Sequence, residues 1–142
     1  MKLSLTPLLL VFSLCVCIFA APNPADFTSP HIVHFTSENF EEKSSDGKLY
    51  FVKFYAPWCG HCVRLAPTWK ELAASYATDD QIEIAHVDCT ADKSVCQSLG
   101  VRGYPSLKLI YEGEVIENYS GMRDFNSLKS FVDENAAEIF AE

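Results

Sequence analysis

The chain has 142 residues, room for one domain and a short appendage. Its 49% apolar and 21% charged residues are those of a globular protein, which excludes fibrous repeats and wholesale disorder. Eleven Lys and Arg against 19 Asp and Glu leave a net charge of −8, and nucleic acid or an anionic membrane would need a basic surface instead.

Met1-Lys2 precedes an apolar run over residues 8–19 and then Ala20-Ala21, the build of a secretory signal peptide cleaved after Ala20 or Ala21. An uncleaved anchor would want about 20 uninterrupted apolar residues, and Ser4, Thr6, Pro7 and Ser13 break this run. The expected layout is therefore a signal peptide over 1–20, a flexible lead-in over 21–30 containing Pro22, Pro24 and Pro30, and one domain over 31–142. Cleavage removes Cys15 and Cys17 and leaves Cys59, Cys62, Cys89 and Cys96 in a compartment where disulfides persist.

Along that domain, residues 31–35 predict a short strand and 36–45 a polar helix on Phe40, with a turn at Asp46-Gly47. Residues 49–56 are apolar on both strand faces except at Lys53, the pattern of a central strand covered on both sides. Residues 60–76 place Val63, Ala66, Trp69, Ala73 and Tyr76 at helical spacing, with Leu65 and Leu72 broadening the face and Pro67 expected to kink it. A second buried strand is predicted over 81–88 and a short helix over 92–99 stopped at Gly100. Strands over 106–111 and 114–119 join through Glu112-Gly113. A last helix carries the stripe Phe125, Leu128, Val132, Ala136 and Ile139. The order βαβαβαββα is that of an α/β protein, a mixed sheet between helices.

The chemistry lies in Trp58-Cys59-Gly60-His61-Cys62. A Cys-x-x-Cys that follows a buried strand and opens a helix puts its first thiol among free amides at the positive end of the dipole, favouring the Cys59 thiolate. Cys62, one turn on and deeper, then resolves the mixed disulfide. His61 adds a positive charge or a donor and favours reduced Cys59, which makes the disulfide more oxidising. The pattern is that of a disulfide donor and shuffler more than a strong reductant. A zinc site drawing on all four cysteines is the bland alternative, but six residues separate Cys89 from Cys96, unlike structural zinc spacing. A purely structural Cys59–Cys62 bridge closes too small a loop to stabilise much.

Phe54-Tyr55-Ala56-Pro57-Trp58-Cys59-Gly60-His61-Cys62, Leu65-Ala66-Pro67-Thr68-Trp69, Val101-Arg102-Gly103-Tyr104-Pro105 and Tyr119-x-Gly121-x-Arg123 together resemble a catalytic domain of the protein disulfide isomerase family over residues 30–135. The resemblance implies a thioredoxin fold, with Cys59 as nucleophile and Cys62 as resolving thiol. It implies a cis peptide before Pro105 that holds loop backbone against an extended substrate. It also implies substrate contact by Trp58 and Tyr104. Arg102 matches a family arginine that approaches the second cysteine, or else is a solvated loop residue. Cys89 and Cys96 match an extra cysteine pair in multi-domain members, read as a structural disulfide with free thiols or a second redox pair as alternatives.

Three features depart from the family. Lys53 stands where many members bury a proton-accepting Glu; either it serves the resolving cysteine or it snorkels to the sheet edge. There is one thioredoxin unit, and the chain ends Ile139-Phe140-Ala141-Glu142, without a Lys-Asp-Glu-Leu type signal. The expectation is a monomeric oxidoreductase/isomerase of the endoplasmic reticulum lumen or the exterior, acting on unfolded or misoxidised cysteine-containing proteins. It would use no metal or organic cofactor and exchange electrons with glutathione or a partner oxidase. The alternatives are a secreted reductase and a non-catalytic escort. Asn118-Tyr119-Ser120 is a glycosylation sequon expected to be occupied in part at most.

Overall fold

The computed structural model describes residues 2–4, 17 and 26–141. Apart from those first four residues, the expected signal peptide lies outside the described residues, as do residues 21–25 of the lead-in.

Five strands form one sheet: β1 (Ile32–His34), β2 (Leu49–Tyr55), β3 (Ile82–Asp88), β4 (Ser106–Tyr111) and β5 (Glu114–Asn118), in the spatial order β1-β3-β2-β4-β5. β1, β3 and β2 run parallel, whereas β4 and β5 are antiparallel additions. The hairpin between β4 and β5 turns on Glu112 and Gly113, with φ of 50° and 78°. Two consecutive positive φ values match the right-handed twist of the flanking strands, and Gly113 adopts its value without a Cβ clash.

All seven residues of β2 are buried, which is what apolar side chains on both faces require. Leu49 and Phe51 point to one side, against α2 (Gly60–Ser75) and α4 (Phe125–Ile139), in a cluster with Leu65, Trp69, Leu72, Leu128 and Val132. Tyr50, Val52 and Phe54 point to the other side, against α1 (Phe40–Lys43) and α3 (Lys93–Ser98), in a cluster with Phe35, Phe40, Val95 and Cys96. Trp69, fully buried, also donates its indole N–H to the Ala85 carbonyl at 3.0 Å, tying α2 to β3.

Several elements differ from the sequence expectation for local reasons. The first helix is four residues long instead of ten. The Asn39 side chain accepts from Thr36 N–H at 2.8 Å and donates to the His34 carbonyl at 3.1 Å, holding the preceding residues as a turn. Val63 is 40% exposed, because the face of α2 that meets the sheet is set by Cys62, Leu65, Ala66 and Trp69 and Val63 lies on its flank. α2 continues unbroken through Pro67, which is exposed. The tail of the lead-in is docked and not free: Phe27 is 1% exposed and stacks on Tyr55 at 4.5 Å between ring centroids. An aromatic ring between prolines gains far more from burial than its short tether loses in entropy.

α4 begins on Asp124, whose carboxylate accepts from Ser127 N–H at 3.0 Å. α3 ends on Gly100 at φ 71°, with Val101 N–H donating to Cys96 and Gly100 N–H to Gln97. This left-handed stop reverses the chain into the loop over 101–105.

Candidate active site

β2 delivers Ala56 and the turn that follows to the start of α2, where Cys59 is the N-cap residue with extended backbone (φ −77°, ψ 118°). Its own N–H donates to the Ala56 carbonyl at 3.1 Å, and Val63 N–H donates back to the Cys59 carbonyl at 3.0 Å. Both thiols are free; Cys59 is 8% exposed and Cys62 fully buried. Cys59 Sγ donates to the Tyr104 carbonyl at 3.6 Å, and the Tyr104–Pro105 peptide is cis.

The two sulfurs differ in the charge they carry most readily. Burial pushes the Cys59 thiol up, but hydrogen bonds from the Cys62 thiol and from the backbone N–H groups of Cys62 and His61, with the nearby Arg123 charge, bring it net below the ordinary thiol value. Cys62 is pushed up to about 12, first by burial and then by its hydrogen bond to Cys59; the Ala56 backbone and the Lys53 charge act the other way. A less deeply buried sulfur inclined to be anionic next to a fully buried one inclined to keep its proton is the asymmetry that attack and resolution need.

His61 is exposed, and Arg64 Nη2 donates to its Nδ1 at 2.8 Å. The residue therefore reaches the Cys59 sulfur through its backbone N–H, while its ring turns toward Arg64 and the cleft of about 260 Å³ shared with Leu65 and Arg123. On the other flank Trp58, 69% exposed, meets Tyr104 edge-on at 6.0 Å. These rings wall a cleft of about 400 Å³ whose remaining lining includes Lys93, Gln97 and the Cys89–Cys96 pair. Cys89 and Cys96 are joined in a disulfide with Cα atoms 5.8 Å apart, which removes the four-cysteine zinc alternative. Among the described residues, no group of three or more His, Cys, Asp or Glu is placed to hold a metal.

Arg102 is exposed, and no hydrogen bond or ion pair joins it to either cysteine among the described residues. The guanidinium whose charge acts on Cys59 is that of Arg123. Lys53 does not snorkel: it is fully buried, with Nζ 5.2 Å from the ring centroids of Phe27 and Tyr55 and 5.8 Å from that of Trp69. Asn118 ends the edge strand β5, and its side-chain oxygen accepts from Lys108 Nζ at 2.8 Å. Phe27, His86, Arg64 and the electrostatic part of Arg123 escaped sequence reading. His86 alone had a signal, since the alternation of β3 puts it on the same face as Ile82 and Ile84.

Comparison with known proteins agrees with this geometry. Residues 31–134 match the Thioredoxin family. The chain is 46% identical over 102 residues to a thioredoxin domain-containing protein 5 homolog of Drosophila melanogaster, covering 72% of this chain and 24% of that protein. It is 38% identical over 119 residues to protein disulfide-isomerase 5-1 of Arabidopsis thaliana, covering 81% and 82%. The crystal structure of the J-Trx1 fragment of ERdj5 superposes with a TM-score of 0.72 at 35% identity, over 80% of this chain and 53% of that one. The chain thus spans about a quarter of the Drosophila relative and about four-fifths of the Arabidopsis one. With its sheet order, cis-proline loop and helix-capping cysteine pair, the chain belongs to the thioredoxin family, and protein disulfide isomerases are among its relatives.

Proposed function

We propose that this protein is a thiol–disulfide oxidoreductase/isomerase that forms and rearranges disulfides in unfolded or misoxidised secretory proteins. The observation that carries this is the opposite tuning of the two sulfurs: Cys59 lowered where its sulfur meets the Tyr104 carbonyl of the cis-proline loop, Cys62 raised and fully buried. The Cys59 thiolate attacks a substrate disulfide, one substrate sulfur leaves with the electron pair, and a Cys59–substrate mixed disulfide forms. In isomerisation a second substrate thiolate displaces Cys59, with no net electron transfer. When rearrangement stalls, Cys62 attacks Cys59, releasing a reduced substrate and leaving the Cys59–Cys62 disulfide. Oxidation of a substrate dithiol runs the same steps backward, and glutathione disulfide, leaving as two glutathione thiols, or a partner oxidase takes up the two electrons and restores the Cys59–Cys62 disulfide.

Trp58 and Tyr104 supply exposed apolar surface for a broad, weak grip, and the Tyr104–Pro105 backbone lies against the attacking sulfur. Pro105 has no N–H to compete with an incoming strand. Arg102 acts, on this reading, by swinging in from solvent when Cys62 ionises. A secretory-pathway location accords with the expected signal peptide and the free Cys59–Cys62 dithiol beside a Cys89–Cys96 bridge.

The deciding experiment is recovery of activity from a scrambled disulfide-containing protein, together with the Cys59/Cys62 potential in a glutathione titration. Reactivation with a potential near −180 mV, about that of protein disulfide isomerase, supports the isomerase. A potential near the thioredoxin value of about −270 mV marks the secreted reductase. No exchange at all marks the escort module.

A further inference from the structure

Among the described residues, three buried side-chain polar atoms have no hydrogen-bond partner: Ser44 Oγ, Lys53 Nζ and His86 Nδ1. Two of them belong to neighbours across the sheet, because Lys53 on β2 stands in register with His86 on β3. Both side chains are essentially inaccessible, at 0% and 1% exposure. A buried ammonium without an anion is expensive, and such groups are kept where something else requires them.

The surroundings of Lys53 define what that anion is. On α2 it faces Cys62 and Lys70; on its own strand, Tyr55; across the sheet, His86, which is flanked in turn by His34. Phe27, Tyr55 and Trp69 present ring faces, which cushion a cation without neutralising it. Neither ion pair among the described residues involves Lys53. Cys62 shares its cluster with Phe27 and Tyr55, two of the rings over which Nζ sits. Burial lowers Lys53 to about 8, which leaves it an ammonium at neutral pH; of the groups acting on it, Cys62 is the one whose ionisation yields an anion that favours the ammonium, while Lys70 opposes it.

We infer that Lys53, packed beside His86, is a positioning residue that supplies the counter-charge for the Cys62 thiolate in the resolving step. The inference rests on the redox reading of the Cys59–Cys62 pair. In the step, Cys62 loses its proton to solvent and its thiolate attacks Cys59. The Cys59–substrate S–S bond breaks, the substrate sulfur leaves as a thiolate, and the Cys59–Cys62 bond forms. The substrate disulfide gains the two electrons that the dithiol loses. The ammonium is unpaired before the step and after it, and paired only while Cys62 is anionic. Its stabilisation therefore falls on the reactive state and not on the resting ones. His86 suits this arrangement because burial first, then Lys53 and His34, disfavour its protonation, so it adds no second charge.

The test is the thiolate fraction of Cys62, read as its alkylation rate at pH 7 in Cys59→Ala protein, below the value of about 8 to which burial lowers Lys53, so that the ammonium is still present. Lys53→Met replaces the charge with an apolar chain of similar length, which buried sites tolerate. It should slow that alkylation about tenfold, the thiolate lost when the Cys62 ionisation moves by about one pH unit. Lys53→Arg keeps the charge and should leave the rate in place. Each variant decides by itself: an unchanged rate in the Met variant overturns the proposal, and so does an Arg rate slowed as far as expected for Met. In the chain with both active cysteines, Lys53→Met should slow decay of the mixed disulfide about tenfold and leave the first attack by Cys59 unchanged. Equal slowing of both steps would mean a structural role and overturn it. The alkylation readout needs no substrate, so a chain that exchanged no disulfides would sink the redox reading while this readout still judged Lys53.

Discussion

The chain sets two pairs of cysteines a short distance apart and gives them opposite fates. Cys59 and Cys62 cap and open a 16-residue helix, with hydrogen-bond donors aimed at the first sulfur and a buried lysine acting on the second. Cys89 and Cys96 lie in an apolar cluster with Val87, Val95 and Phe54, bridging the end of β3 to α3. Their bridge also lines the cleft that Lys93 and Gln97 share with Trp58 and Tyr104. Burial alone thus does not separate them, since Cys62, Cys89 and Cys96 are all less than 5% exposed. What separates them is what the fold brings to each sulfur: N–H donors and cations to Cys59 and Cys62, a bonded partner sulfur to Cys89 and Cys96.

Breaking the reactive pair should have the largest effect. Cys59→Ser should abolish oxidation, reduction and isomerisation, because among the described residues no other free thiol stands at the N-cap of α2. Cys62→Ser should instead accumulate mixed disulfides through Cys59, read as slow-migrating, reductant-sensitive bands in a client-trapping gel. The reverse pattern would exchange the two roles.

Next is the polar floor beside the reactive pair. His86 is held down to about 3 by burial first, then by the charges of Lys53 and His34, against about 6.5 in an unfolded chain. Between those values the unfolded chain binds the proton and the folded chain does not. Stability therefore falls as pH drops below about 6.5, by roughly 1.4 kcal/mol per pH unit. Urea unfolding near pH 4.5 should show a loss of about 3 kcal/mol that His86→Leu removes. An equal acid loss in both proteins would assign it to other groups.

Removing the bridging pair with Cys89→Ala/Cys96→Ala should cost about 2–3 kcal/mol and leave disulfide exchange intact. A chain of this size buries enough core to fold without it. Chemical unfolding and the scrambled-protein assay on the double variant check the two halves. A loss of isomerase activity would put the second pair in the chemistry.

The smallest effect sharpens the helix start itself. His61→Pro removes both a ring and the backbone N–H that reaches Cys59, whereas His61→Ala removes the ring alone. The proline variant should become more reducing by about 30 mV, which corresponds to about 1.4 kcal/mol for a two-electron couple, and the alanine variant by less. A glutathione titration of the three proteins separates ring from backbone. Equal shifts would assign the poise to the ring.

Much of the architecture was readable along the chain because its causes are local. Apolar residues on both faces of 49–55, the stripe 128, 132 and 136, the glycine stop after α3 and the two-residue turn at Glu112-Gly113 each act within a few positions. The reactive thiols belong to the same class, since a Cys-x-x-Cys after a strand and before a helix carries its chemistry in its spacing. The boundaries that slipped did so for local competitors that pattern reading underweights, as with Asn39 and the shortened α1.

What no pattern held was the meeting of residues far apart in sequence. Whether Lys53 reached water depended on Phe27 folding over Tyr55 and on Trp69 arriving from α2. That His86 lay beside it depended on the parallel register of β2 and β3, and that Arg123 acted on Cys59 depended on where β5 hands the chain to α4. By itself the sequence determined which sulfurs react and which segments form strands or helices, because short-range sterics and spacing decide both. The tertiary structure alone decided the charge, burial and partners around those sulfurs, because such fields add up over side chains that only the folded sheet brings within a few ångströms.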